Sequence, residues 1–283
     1  MMRKFFTSLL FVTAFTITHA QLDLPRLSPS ANVSQTVGYT VITIDYCRPG
    51  VHGRKIWGGL VPYNQVWRTG ANEATTIQFT TDVTVEGNKV PAGRYSLFTI
   101  PEENEWTVIF NKVDKQWGAF NYKQADDLLR FKVKPGIGPF TERMLFTFSA
   151  LTDSTVDVVL NWEKVQVAFN VKAHVFDQAY AKIKEGLAAK PDNWQNYAAA
   201  ANYAADNGVF LNEALNWIDK AISLEQNYYP YFVKARVYYK MGENTKALKT
   251  LEKCRDAGRK DKTYDSFVAQ VDFLESEIRS KSK

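Results

Sequence analysis

The first domain is organised around residues 46–77, which read YCRPGVHGRKIWGGLVPYNQVWRTGANEATTI. No other segment of the sequence brings so many arginines, tryptophans and glycines close together. Glycine permits turns that other residues resist, and arginine, asparagine and glutamate supply directed polar groups. The stretch is therefore predicted to be a shaped loop that carries the candidate site.

Alternating polar and apolar residues flank this stretch on both sides. Residues 39–46 place Ile42 and Ile44 on one face and Asp45 on the other, and a similar alternation resumes at residues 75–79. A period of two is typical of a half-buried strand. The loop is therefore expected to lie between two strands.

Short strands without an intervening helix are predicted for the rest of residues 21–172. Turn residues separate the apolar runs, and Glu86-Gly87-Asn88 predicts a hairpin. The inward-facing set shifts from even to odd positions near Glu163, which indicates a bulge or a corner. This pattern predicts an antiparallel β-sandwich or barrel. Further strands are expected at residues 95–100, 106–110, 128–133, 144–148, 156–162 and 165–171.

Helical spacing replaces the period of two in residues 173–283, so the fold class is predicted as α+β with two domains. Ala214 and Ala221 recur as Ala247 and Cys254 at a spacing of 33 residues. The segment resembles tetratricopeptide repeats and is predicted to be a helical repeat stack. Six residues of the second unit match that pattern: Tyr231, Ala235, Tyr238, Gly242, Ala247 and Leu251. Helices are expected near residues 176–187, 194–205, 211–224, 229–240, 245–254 and 264–278.

The first twenty residues have the pattern of a secretory signal peptide. Arg3 and Lys4 precede an apolar run at residues 5–17, and small residues end at Ala20, where cleavage is expected. The protein is thus predicted to be exported, to the periplasm or the cell exterior. No second long apolar segment follows, so no integral membrane span is expected.

Composition excludes several classes of function. The net charge of +5 is spread along the chain, without the concentrated basic footprint that a nucleic-acid partner requires. Neither HExxH nor a CxxC pair occurs, so no metal or other cofactor is expected. Two separate thiols at Cys47 and Cys254 are favoured over a disulfide, because a bridge demands close approach of the two cysteines.

Three motifs carry a resemblance to a known family: YxRPxxxGR from Tyr46, WRTGANEAT from Trp67, and PAGxYxLFxIP from Pro91. Over residues 28–172 the chain resembles the bacterial family labelled domain of unknown function 2911. The resemblance agrees with export and implies no catalytic role. The motif positions are Arg48, Pro49, Gly53, Arg54, Trp67, Arg68, Gly70, Asn72, Glu73 and Thr75.

The candidate site is drawn from this loop and the strand before it. Glu73 and Asp45 could form an acid and base pair that flanks a sugar, with Trp67 as a stacking platform. His52 is the third candidate catalytic residue. The predicted ligand-binding residues are Arg48, Arg54, Trp67, Arg68, Asn72 and Glu73.

A purely structural role for the same residues is the competing interpretation. The arginines would then donate to loop carbonyls and to Glu73, while Trp57 and Trp67 would fill the end of the sandwich. Because GxSxG and other catalytic motifs are absent, an exported binding protein is favoured, with a polar small molecule or glycan at the loop and another envelope protein on the helices. The alternative is a hydrolase or lyase acting on such a molecule at Arg68, Asn72 and Glu73.

Overall fold

The computed structural model describes residues 24–281, and within them ten strands precede six α-helices. The predicted signal peptide and its cleavage site lie outside the described residues. The strands are β1 Ser30–Val37, β2 Thr40–Cys47, β3 Thr76–Phe79, β4 Val83–Val85, β5 Asn88–Val90, β6 Gly93–Ile100, β7 Trp106–Asn111, β8 Asp127–Val133, β9 Gly136–Ser149 and β10 Thr155–Ala173. The helices are α1 Val175–Ala189, α2 Trp194–Asn207, α3 Leu211–Leu224, α4 Tyr228–Lys240, α5 Asn244–Gly258 and α6 Val268–Lys281.

The strands form two antiparallel sheets. One sheet has the order β1-β2-β3-β6-β7-β8, and the other has the order β5-β4-β10-β9. Because β2 and β3 are neighbours with Ile44 opposite Ile77, both ends of the glycine-rich stretch leave the same part of the sheet. Residues 48–75, called the insert below, therefore lie between two strands, as the flanking alternation predicts.

One hydrophobic cluster takes side chains from both sheets. Tyr46 of β2 packs edge-on against Phe146 of β9, with ring centroids 5.0 Å apart. Phe110 of β7 meets Phe169 of β10 at 5.9 Å. These contacts join the inner faces of the two sheets, so the apolar positions of the period-two pattern make a common core.

The bulge expected near Glu163 is present, but the two strands expected on either side of it are one strand. Glu163 has a positive φ of 56° within β10, and the register against β9 shifts on both sides of it. The inward positions of β10 change from even to odd across Glu163, so Trp162 and Val167 are both buried. At each shift two residues of β10 pass four of β9, so the extra residues lie on β9. The prediction of separate strands is wrong because β10 runs through this irregularity without a break.

Strand β1 was not expected from the sequence. It pairs along its whole length with β2, but its side chains remain mostly exposed or half-buried at the edge of the sheet. An edge strand needs no strict apolar alternation, so its sequence lacks the usual signal.

The helical spacing after residue 172 is confirmed by six helices. Strand β10 ends at Ala173 and α1 begins at Val175, so the change of period marks the change of structure. The last predicted helix is divided into a short 3-10 turn at Tyr264–Ser266 and α6. Ala214, Ala221, Ala247 and Cys254, the positions spaced by 33, are all fully buried. Within residues 24–281, no helix has the length and apolar character that crossing a membrane requires.

The helices touch the sheets at the β1–β2 turn and the β3–β4 connection. Gln178 of α1 donates a hydrogen bond to Thr81 at 2.9 Å. The Lys182 ammonium group lies over the ring of Tyr39, 5.8 Å from its centroid. These contacts fix where α1 leaves the sheets.

Candidate functional site: a polar cleft on the six-stranded sheet

A row of polar side chains crosses the outer face of the six-stranded sheet. Asn32 pairs with Asp45, Asp45 with Thr76, Thr76 with Ser96, and Ser96 with Asn111. Directly opposed residues of antiparallel strands point to the same face, so the five side chains form one line over β1, β2, β3, β6 and β7. This face lies opposite the common core and forms the floor of the candidate site.

Two loops stand over this floor. The amide of Ala74, in the insert, donates to the carbonyl of Gln116 at 2.9 Å, and the amide of Gly118 donates to the carbonyl of Asn72 at 3.0 Å. The insert and the loop at residues 112–122 are therefore tied together by backbone hydrogen bonds. Beneath them Phe98 is fully buried in a small second cluster on this face of the sheet.

A cleft of about 680 Å³ lies between the floor and these loops. Its lining includes three cationic and three anionic side chains, so its formal charge balances to zero. Such a cleft has no electrostatic preference for a strongly charged ligand. The charged lining residues are Arg26, Arg94, Lys115, Asp45, Glu73 and Asp114.

The two candidate carboxylates of the cleft are each held by an arginine. Arg26 donates from Nη1 to both carboxylate oxygens of Glu73, at 2.9 and 2.7 Å. Arg94 donates from Nη2 to Asp45 at 2.8 Å, and Asn32 donates to the other Asp45 oxygen at 2.6 Å. The hydrogen bond from Arg26 holds the pKa of Glu73 below its ordinary value, and the same contact raises the pKa of Arg26.

Trp117 supplies the aromatic surface of the cleft. Its side chain remains 57% exposed although the residue is held by a bridge to Glu73. The exposed ring lies in the lining of the cleft together with the paired groups Arg26–Glu73 and Arg94–Asp45. The sequence signal for this residue is a tryptophan in the otherwise polar segment KVDKQW, which lies outside the glycine-rich stretch.

Other lining residues also lie outside the predicted site. Arg26 precedes the first strand, and Asn32 lies on the unexpected strand β1. Arg94 stands at an outward position of β6, inside the PAGRYSLFTIP motif. Alternation along β6 marks Arg94 as outward-facing, but no local pattern indicates that it reaches Asp45, 49 residues away.

Arg48 and Arg54 support the backbone and do not line the cleft. The Arg48 Nε donates to the carbonyl of Met144 at 2.8 Å. Arg54 donates to the carbonyls of Val51 and Gly50 at 3.1 and 2.5 Å. Both arginines thus hold the shape of the insert, which is the role that the structural interpretation assigns to them.

Trp67 lies in a cluster of four tryptophans in the core region. Its ring stacks on Trp162, with centroids 5.8 Å apart and an interplanar angle of 17°, and it packs edge-on against Trp57 and Trp106. Its indole Nε1 donates to the carbonyl of Gly70 at 3.1 Å. The structure therefore places Trp67 among other tryptophans, and the exposed ring near Glu73 and Asp45 is Trp117.

The remaining predicted site residues are dispersed. Asn72 donates to the carbonyl of Ser28 at 3.2 Å, and His52 lies near Glu142 on β9, with Nδ1 3.8 Å from Oε1. Arg68 forms no ion pair with Glu73, whose partner is Arg26, and it lines a separate small pocket. The structure thus brings together Glu73 and Asp45 but not the whole predicted set.

Both cysteines are free and buried. Cys47 lies beside the cleft, with Sγ 3.7 Å from Oε2 of Glu73. Burial of Cys254 between helices raises the pKa of its thiol to about 12. In the part of the chain from residue 24 to residue 281, no group of three or more His, Cys, Asp or Glu side chains is arranged to hold a metal ion.

The sheets and the cleft define a class: a protein of two antiparallel sheets with a polar, aromatic-lined cleft on an outer face. The family model described as "Protein of unknown function (DUF2911)" matches residues 28–171, and the chain belongs to this family. The match includes both sheets and ends before α1. No curated protein and no solved structure matches the chain.

Proposed function

We propose that this protein is a binding protein whose cleft holds a neutral, polyhydroxylated ligand such as a sugar or a glycan segment. The observation that carries the proposal is the exposed ring of Trp117 beside the paired groups Arg26–Glu73 and Arg94–Asp45. Planar carboxylate and guanidinium groups offer fixed acceptors and donors for hydroxyl groups, and an aromatic face packs against the apolar side of a sugar ring. The balanced charge favours a neutral ligand.

Binding is favoured over hydrolysis by the lowered pKa of Glu73. A glycoside hydrolase needs one carboxylic acid that stays protonated, which requires a raised pKa. The pKa of Glu73 is instead lowered by Arg26. Glu73 is therefore not prepared to donate a proton. Asp45 is held by hydrogen bonds from both Arg94 and Asn32.

The decisive experiment is calorimetric titration of the protein with a panel of neutral oligosaccharides. Trp117→Ala is expected to weaken binding by up to roughly tenfold, the loss of one aromatic contact. Phe273→Ala is the matched control, because Phe273 is an exposed ring on α6, 67% accessible against 57% for Trp117. Equal affinities of the wild type and Trp117→Ala would contradict the proposal, as would the absence of any oligosaccharide binding.

The same panel distinguishes catalysis from binding. A hydrolase would release reducing ends, and Glu73→Gln would abolish that release while leaving the melting temperature nearly unchanged. We expect no release from either protein. Turnover that disappears in Glu73→Gln would favour the hydrolase over the binding protein.

We further propose that the helices form a tetratricopeptide-like stack and that this stack binds another envelope protein. The two sheets are proposed to form a sandwich, and the protein is proposed to be exported. The fully buried small residues at the 33-residue spacing support the repeat. A groove of about 330 Å³ between α1, α2 and Tyr39 supports a contact surface.

A photo-crosslinker at Tyr203, which lines that groove, should give one discrete adduct in an envelope extract. A crosslinker at Phe273 should not give this adduct, and the same adduct from both positions would contradict the proposal.

A further inference from the structure

Arg68 differs from the other arginines of the insert because its guanidinium group forms no hydrogen bond or ion pair within the described residues, where the Cys47 thiol is its electrostatic neighbour. Arg48 and Arg54 donate to backbone carbonyls, whereas the Nε of Arg68 is buried and forms no hydrogen bond within residues 24–281. In the same described part of the chain, no carboxylate lies within ion-pair distance of its guanidinium group. A buried donor without a partner carries the full cost of its lost hydration, so such groups normally have one.

The backbone holds Arg68 in place on both sides. Trp67 and Thr99 of β6 exchange backbone hydrogen bonds at 2.7 and 2.9 Å. The carbonyl of Arg68 itself accepts from the amide of Thr75 at 3.1 Å. The neighbouring Trp67 side chain packs in the tryptophan cluster, while the Arg68 side chain lines a separate cavity. The position of Arg68 is therefore set by the fold.

The cavity at Arg68, called the Arg68 pocket, has a volume of about 320 Å³. Arg68 is the one charged side chain in its lining, and Gln65 is the other long polar one. Phe120 forms part of the wall and is 82% exposed. The apolar lining residues are Leu60, Pro62, Val66, Trp67, Ala119 and Phe120.

We propose that the Arg68 pocket is a binding site for a carboxylate carried on an apolar or ring-shaped body. A guanidinium group presents a planar fork that matches the two oxygens of a carboxylate, and one positive charge balances one negative charge. The apolar walls provide contact area for the body of such a ligand. A phosphate dianion would find one cation and few further donors there, so it fits less well.

This site is distinct from the cleft of the proposed function. Trp117 lines the cleft and Phe120 lines the Arg68 pocket, while Gly118 lies between them, where an added Cβ would be 3.6 Å from Nη1 of Arg68. The turn at Gly118, with φ of 67°, lets one loop present an aromatic ring to each cavity. The two sites can therefore be tested separately, and failure at one leaves the other standing.

The test is a thermal-shift titration at constant ionic strength with benzoate, benzyl alcohol and inorganic phosphate. Benzoate is expected to raise the melting temperature of the wild type saturably, because a ligand that binds the folded state stabilises it by mass action. Benzyl alcohol, which lacks the charge, and phosphate, which lacks the apolar body, should have at least roughly tenfold weaker effects, the loss expected for one charge-assisted contact.

Arg68→Met is expected to weaken the benzoate effect at least roughly tenfold. The control is Arg259→Met, which removes an exposed arginine beyond α5 and should leave the effect unchanged. Phe120→Ser, at an exposed position that folding does not need, should weaken it several-fold and serves if Arg68→Met fails to fold. The proposal is overturned if benzoate gives no saturable rise in the wild type, if phosphate or benzyl alcohol acts as strongly, or if benzoate binding survives in both pocket variants.

Discussion

Arg26 joins the segment before the first strand to the insert by donating to both carboxylate oxygens of Glu73, at 2.9 and 2.7 Å. The two residues are 47 positions apart in the sequence, and both side chains are about half exposed. The contact therefore shapes the cleft without being shielded from water. Because this contact lowers the pKa of Glu73, it makes the stability of the protein depend on pH.

We predict that Arg26→Ala lowers the free energy of unfolding at pH 7 only slightly, because exposed ion pairs contribute little. The pKa of Glu73 is lowered in the folded state, so the contribution is present above the ordinary pKa of 4.5 and is lost as the pH falls through the lowered folded value. Urea unfolding at several pH values measures the difference in unfolding free energy between the wild type and Arg26→Ala. The two curves should converge in acid, and a gap that widens below pH 4.5 would show that the sign is wrong.

Replacement by alanine should have different effects on stability at the buried Trp162 and at the exposed Trp117. Trp162 is 1% exposed and contacts Trp57 and Trp67, so Trp162→Ala is predicted to cost about 3–5 kcal/mol. Trp117→Ala should change the free energy of unfolding by less than about 0.5 kcal/mol, since its ring is exposed. Chemical denaturation followed by far-UV circular dichroism compares them. Similar costs for both would mean that Trp117 is part of the core and unavailable to a ligand.

Contact between the sheets and α1 can be tested at Gly38. Its φ is 57°, and an added Cβ would lie 2.5 Å from Cγ2 of Val175. Gly38→Ala should therefore destabilise the protein both by backbone strain and by overlap with the first residue of α1. Gly87→Ala is the control, because Gly87 has φ of 80° and nothing within 4 Å of the added Cβ. Gly87→Ala should lower the free energy of unfolding only by the backbone strain, about 1–2 kcal/mol.

Thermal unfolding of these variants measures the difference between them. The double variant Gly38→Ala with Val175→Ala should recover part of the loss, since it removes the overlapping methyl groups. Equal destabilisation by Gly38→Ala and Gly87→Ala would contradict the close approach of the β1–β2 turn to α1.

Deletion of Glu163 should prevent normal folding. Glu163 is the position at which the buried residues of β10 change from even to odd, and its removal shifts every later residue of β10 by one position. A shift of one residue exchanges the two faces of a strand, so Val167 and Phe169 would leave the core. Glu163→Gly, which keeps the count and suits a φ of 56°, should remain folded. Near-UV circular dichroism and proteolysis distinguish the two, and a native-like deletion variant would contradict this account of the bulge.

Local patterns predicted most of the architecture. Alternation located β2 and β3, short apolar runs between turn residues located β6 and β7, and the shift of phase near Glu163 indicated a bulge or a corner. The change to helical spacing after residue 172 located the helices. These features depend on neighbours along the chain, whose side chains repeat with the period of the element. The edge strand β1 was missed because its inner face is mostly half-buried and carries Ala31 and Gln35 beside Val33 and Val37, which weakens the apolar alternation.

The candidate site was predicted less well, because its groups come from distant segments. The glycine-rich stretch does form a shaped insert and does contribute Glu73 to the cleft, but the partners of Glu73 and Asp45 are Arg26 and Arg94. A motif of arginines, tryptophans and glycines does not distinguish side chains that hold a loop from side chains that face a ligand. Arg48, Arg54 and Trp67 have the first role, and Trp117 lies outside the motif.

Local periodicity and contiguous motifs were enough to predict most of the strands and helices, the position of the insert and the family. Folding in three dimensions was needed to show two further features. Trp117 and Phe120 line two different cavities. Five polar residues form one row: Asn32, Asp45, Thr76, Ser96 and Asn111. The physical reason is that strand pairing and loop closure bring together residues far apart in the chain, and burial then leaves some polar groups paired and Arg68 without a partner within the described residues.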